Sequence, residues 1–124
     1  MATQLSEEQL KRYRRTARAR WQAEQRQLAE RRDHAWALAR SAAALLKGTF
    51  GVERVMLFGS LIQADRFTRW SDVDLMAWGL SSKNWLQASA AVRALSDEIE
   101  LNLADAACCS PELLNIVERD GVLL

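Results

Sequence analysis

The chain has 124 residues, 49% of them apolar and 27% charged, with a formal net charge of +1. That length suits one domain with a modest core and leaves little room for a separate substrate-binding domain. No run of about 18 apolar residues argues for a membrane span, the polar N-terminus does not read as a secretion signal, and the adjacent Cys108 and Cys109 lie too close for an ordinary disulfide, so a cytoplasmic protein with reduced thiols is expected.

In chain order, Ser6-Glu7-Glu8-Gln9 fits a capping box, and no proline or glycine follows until Gly48. Ala, Arg, Gln, Glu and Leu dominate this stretch, which predicts a helix to Lys47 with Gly48 as its stop. Leu10, Tyr13, Ala17, Trp21, Leu28, Ala35, Ala39, Ala42 and Leu46 fall on one stripe. One such helix would be ~60 Å long, well beyond the diameter of a domain this size, so its first half is expected to project rather than break near Arg31-Arg32-Asp33. A projecting half with Tyr13 and Trp21 on one face wants a partner. Residues 1–40 carry ten bases against five acids (+5), and residues 41–124 seven against eleven (−4). The basic arm suits an acidic partner or RNA, and a merely solvated face explains it equally well.

Arg54–Phe58 reads as a buried strand, followed by Gly59-Ser60. Glycine there lets backbone N–H groups approach a phosphate. Leu61–Ala64 is expected to open a short helix, and Asp65–Trp70 to be irregular. Val73–Trp78 is the second strand, ended by Gly79. Its alternation places Asp72 and Asp74 on one face and Val73 and Leu75 on the core side. Two carboxylates held so close repel unless a cation sits between them, and hard oxygens beside a phosphate-binding turn suit Mg²⁺ arriving with a nucleoside triphosphate. Ser81 or Ser82 is expected to cap a helix to about Leu95. Glu98–Ala104 alternates as a third strand with Glu98, Glu100 and Asn102 on the outer face. Ser110-Pro111 starts a final helix to about Arg119, leaving 122–124 extended.

Gly59-Ser60, a spacer and Ser71-Asp72-Val73-Asp74-Leu75 together resemble the signature of the minimal nucleotidyltransferases, a branch of the DNA polymerase β-like superfamily. The resemblance runs from about Ala35 to Leu124 and takes in the ending Ile116–Leu123. It implies an α/β (α+β) fold, a small mixed β-sheet flanked by helices, here with a long N-terminal helix. The expected organisation is one nucleotidyltransferase domain over 1–124, with 1–34 the projecting part of the helix and 35–124 the catalytic core. Many proteins of this family are antitoxins that silence HEPN ribonuclease toxins by moving AMP from ATP onto a toxin tyrosine, so the implied partner is a HEPN-type toxin.

By the same resemblance Asp72 and Asp74 would hold two Mg²⁺ ions with ATP. Ser60 and the backbone after Gly59 would hold the β- and γ-phosphates, with Ser71 also on the nucleotide side. Glu100 would help bind the second metal and act as base; Glu98 or Asp105 competes for that place if the strand register differs. Two departures stand out. The family has an aspartate where Glu100 stands, and commonly a glycine where Ala64 stands. Antitoxin action by occlusion alone, and transfer to a small molecule or RNA, remain alternatives. His34 reads as a surface residue, Trp21, Trp36, Trp78 and Trp85 as packing residues, and Trp70 as a loop anchor before a purine-stacking residue. Arg66 and Arg69 suit either triphosphate oxygens or a solvated loop, and the two cysteines suit packing.

Overall fold

The structure, a computed structural model, describes residues 4–124; the first three residues of the expected projecting segment lie outside the described residues. Helix α1 runs unbroken over Glu7–Phe50 and starts with the expected capping box, Ser6 and Gln9 each accepting the other's backbone N–H. At ~1.5 Å per residue it is about 66 Å long. From Glu7 to Gln27 every residue but Leu10 is exposed, and burial sets in with Ala35, Leu38, Ala39, Ala42, Ala43 and Leu46. Gly48 does not stop the helix. Phe50 continues it by packing on the core, and Gly51 closes it in the left-handed region at φ 66°.

Four strands follow: β1 Arg54–Phe58, β2 Val73–Trp78, β3 Leu101–Asp105 and β4 Val122–Leu123. They form one mixed sheet in the order β3-β2-β1-β4, with β1 antiparallel to β2 and β4, and β2 parallel to β3. Helix α2, Trp85–Arg93, makes the crossover between the parallel pair, and α3, Pro111–Asp120, precedes β4. This is the expected α+β arrangement of a small mixed sheet flanked by helices.

Strand alternation gives the sheet two unlike faces. Val55, Leu57, Val73, Leu75, Ala77, Leu101 and Leu103 join α1 and Ala88 and Val92 of α2 in the main core. Met56 and Met76 point the other way, where Ala106 and Val117 cover them. Asp74 and Asn102 belong to this second face, paired in register at the end of the sheet beyond Met76.

Three boundaries differ from expectation. The helix after Gly59 is a single 3₁₀ turn, Ser60–Ile62. Helix α2 begins at Trp85 because Ser81 spends its hydroxyl on Lys83 N–H and its carbonyl on Asn84 N–H, which makes a turn instead of a cap. Strand β3 begins at Leu101, since Ser96 turns the preceding chain by accepting the N–H groups of Glu98 and Ile99. Trp36 and Trp78 pack against the core as expected, whereas Trp21 is 60% exposed because nothing lies beside that part of α1. Among the described residues no helix is long and apolar enough to cross a membrane.

Candidate active site

The first element of the site is the β1 exit. Gly59 takes φ 85°, and a Cβ there would stand 2.6 Å from Asp74 Oδ2. Only glycine lets the turn lie against that carboxylate. The Gly59-Ser60 turn opens onto a cavity of about 310 Å³ that Gln63 and Arg66 also line. Arg66 there suits phosphate oxygens, and the Asp120 carboxylate, paired with Arg119, also lines the cavity.

The second element is the carboxylate pair. Asp72 and Asp74 are both half-buried, separated by the fully buried Val73. Among the described residues neither forms an ion pair with lysine or arginine. Burial raises the Asp74 carboxyl above its ordinary value; the Asn102 hydrogen bond opposes this, and the charges of Asp72 and Glu100 add to it. Such uncompensated negative charge attracts a cation.

The third element departs from the sequence reading. The parallel register sets Val73 opposite Leu101 and Asp74 opposite Asn102, and Asn102 Nδ2 donates to Asp74 Oδ1 at 3.2 Å. Glu100 lies just before β3; its carbonyl accepts the Val73 N–H at 2.9 Å and its carboxylate meets Arg93 at 3.5 Å. Among the described residues no three His, Cys, Asp or Glu side chains come together closely enough to hold a metal ion. The expected three-carboxylate cluster is therefore not formed: the position facing Asp74 carries an amide. Asp105 lies further along β3, buried, with its carboxylate capping Ala107 N–H. Asn102 is the residue that sequence reasoning passed over. Its outward alternation with Glu98 and Glu100 was the available signal.

A second cavity, about 490 Å³, is lined by Asp72, Glu100, Trp70, Arg31, Arg69 and Arg93, among others. Trp70 is 77% exposed, so it does not anchor its loop on the core; Arg69 stacks on it at 4.9 Å. Ser71 Oγ accepts Thr68 N–H at 2.9 Å and the Ser71 carbonyl accepts from Arg31 at 3.3 Å, which fixes the loop just before Asp72. Arg31 also donates to the Glu98 carbonyl at 3.4 Å, so one α1 side chain ties together the two segments leading to Asp72 and Glu100. His34 is exposed, and Cys108 and Cys109 are free thiols, with Cys109 packed in the smaller core.

Two carboxylates are hard oxygen donors, which fit a divalent cation such as Mg²⁺. Mg²⁺ is bound through one or two carboxylates plus phosphate and water oxygens, and dispenses with an all-protein cage. Asp72 and Asp74 would hold such an ion, and the Gly59-Ser60 turn lies against Asp74.

No protein-family model and no curated protein matches the chain. Solved structures do. A chain of the toxin–antitoxin complex MntA-HpeT, in a variant with two aspartates two positions apart both exchanged for glutamate, superposes with a TM-score of 0.57 at 19% identity, covering 68% of this chain and 70% of that one. A second variant of that complex, with a tyrosine-to-alanine exchange, gives a TM-score of 0.56 at 22% identity, covering 68% and 69%. A Sulfolobus solfataricus protein provisionally assigned as a nucleotidyltransferase gives 0.47 at 19% identity over 77% and 84% of the two chains, and carries no argument. At these identities the likeness to the MntA-HpeT chains shows a shared fold, the α+β arrangement of a small mixed sheet with flanking helices.

Proposed function

We propose that this protein is the nucleotidyltransferase antitoxin of a toxin–antitoxin pair, binding ATP with Mg²⁺ and transferring AMP to a hydroxyl, a tyrosine by family resemblance, on a HEPN-type toxin. The observation that carries the reading is Gly59 held against Asp74, which joins a phosphate-receiving turn to a carboxylate pair lacking any cationic partner. The shared fold with a component of the MntA-HpeT complex supports the choice of a toxin as acceptor.

The roles follow from the placement of the residues. Backbone N–H groups after Gly59, the Ser60 hydroxyl and Arg66 receive the β- and γ-phosphates. Asp72 and Asp74 hold the ion. Bound Mg²⁺ neutralises phosphate charge and so favours displacement at the α-phosphorus. The acceptor hydroxyl enters the cavity between Trp70, Arg93 and Glu100. Its proton passes to Glu100, its oxygen bonds to the α-phosphorus, and the bond from that phosphorus to pyrophosphate breaks. The exposed Tyr13, Ala17 and Trp21, between the half-buried Leu10 and Leu28, continue the apolar stripe that α1 buries in the core, and seat the toxin.

Asn102 favours a second reading, binding without turnover. An amide facing Asp74 neither takes up a proton nor offers a charged metal ligand, so the protein would neutralise its toxin by occlusion. Incubation with ATP labelled at the α-phosphate, Mg²⁺ and the toxin separates the two. Label on the toxin, lost with Asp74→Asn, supports transfer; a stable complex free of label supports occlusion.

A further inference from the structure

We infer that the free half of α1 binds duplex DNA through its basic face, a function independent of the nucleotide site. Between Gln9 and Ala23 there are six basic residues (Lys11, Arg12, Arg14, Arg15, Arg18 and Arg20) and no acidic one. All of them are exposed. Helical geometry gathers Lys11, Arg14, Arg15, Arg18, Gln22, Gln25 and Arg26 into a sector of about 120°, extending ~22 Å along the axis. The apolar stripe of Leu10, Tyr13, Ala17 and Trp21 runs beside this sector, with Trp21 next to its Arg14 edge.

Three observations point to this occupant. First, from Lys11 to Arg26 the sector holds cations and amides alone, with Glu7 and Glu8 only at its N-terminal end; these are side chains that bond phosphate oxygens and base edges. Second, charge is unevenly shared along the chain, +5 in residues 1–40 against −4 in 41–124, which favours the arm as the place for a polyanionic polymer. Third, the arm is exposed from Lys11 to Ala23, and only from Glu24 onward does it line cavities beside Phe67, Thr68 and Arg69. A bare helix about 10–12 Å across fits the ~12 Å major groove of B-form DNA, whereas the narrow major groove of duplex RNA excludes it.

The test is fluorescence anisotropy of the full-length protein with a labelled 20-base-pair DNA duplex, at 50 and 200 mM salt. With about four phosphate contacts, affinity falls roughly a hundredfold between the two salts. The Arg14→Gln/Arg15→Gln/Arg18→Gln variant changes only exposed positions; circular dichroism confirms that its helix is intact. It binds at least tenfold more weakly at 50 mM salt, and its salt dependence shrinks to less than about fivefold. Duplex RNA of equal length binds several-fold more weakly, and poly-glutamate at equal charge does not displace the DNA. Unchanged DNA binding by the folded variant overturns the proposal, as does equal binding of duplex RNA or full displacement by poly-glutamate.

Discussion

Asn102 Nδ2 donates to Asp74 Oδ1 across 3.2 Å, from the parallel strand where the register puts the two residues side by side. The amide serves Asp74 in two ways: it supplies a proton donor to a half-buried carboxylate and adds no charge to a site that already contains Asp72 and, nearby, Glu100. Replacing it with aspartate removes the donor and sets three carboxylates around one space. Asn102→Asp is expected to melt about 3–6 °C below wild type without divalent metal, equivalent to roughly 1 kcal/mol. Added Mn²⁺ should restore the loss and bind with higher stoichiometry than in wild type. Differential scanning calorimetry and metal titration check both points.

The raised carboxyl of Asp74 has a definite sign in the stability profile. The unfolded chain gives up this proton near the ordinary value of 3.8, before the folded protein does. In the window from that value up to the raised one, the folded state binds more protons, so the contribution of Asp74 to stability falls as pH rises, then levels off. Urea unfolding from pH 3.5 to 7 should show wild type losing stability relative to Asp74→Asn across this window. Saturating Mg²⁺ favours the ionised carboxylate and should flatten the difference.

Gly59 and Gly79 both have positive φ, 85° and 86°, but different neighbours. A Cβ on Gly59 meets Asp74 Oδ2 at 2.6 Å, whereas one on Gly79 meets the flexible Glu53 side chain at 2.8 Å. Each alanine substitution should cost about 1–3 kcal/mol from the backbone alone. Only Gly59→Ala should also weaken ATP binding, by tenfold or more, because it displaces Asp74. Calorimetry paired with nucleotide titration separates the two effects.

Gly48 lies inside α1 with open space where a Cβ would stand, and Gly51 ends the helix at φ 66°. Gly48→Ala should stabilise the protein by about 0.5–1 kcal/mol. Gly51→Ala should destabilise it by a similar amount or more, because its left-handed conformation suits glycine. Chemical denaturation of the two variants gives the opposite signs directly.

The glycine pair shows where the sequence was legible and where it was not. Capping at Ser6 and Ser110, the two central strands and the carboxylate pair were all readable, because each depends on residues within a few positions of one another. The choice between Gly48 and Gly51 was not, because Phe50 docks on residues distant in the chain and draws the helix past the first glycine. The third carboxylate failed for the same kind of reason. Period-two alternation grouped Glu98, Glu100 and Asn102 on one face, but the register against β2 decides which of them meets Asp74, and Ser96 sets the strand start by binding the two N–H groups ahead of it. Residue type alone reads Trp21 as packing and Trp70 as an anchor for its loop, yet both side chains are largely exposed.

The central claim is that Asp72 and Asp74 hold a metal–nucleotide complex over the Gly59-Ser60 turn. Isothermal titration of ATP into the wild-type protein, with Mg²⁺ and then with EDTA, tests it most directly alongside the Asp72→Asn/Asp74→Asn variant. The account expects saturable one-to-one binding that requires Mg²⁺ and weakens at least tenfold in the folded double variant. Binding of equal strength with EDTA, or in the double variant, would contradict it.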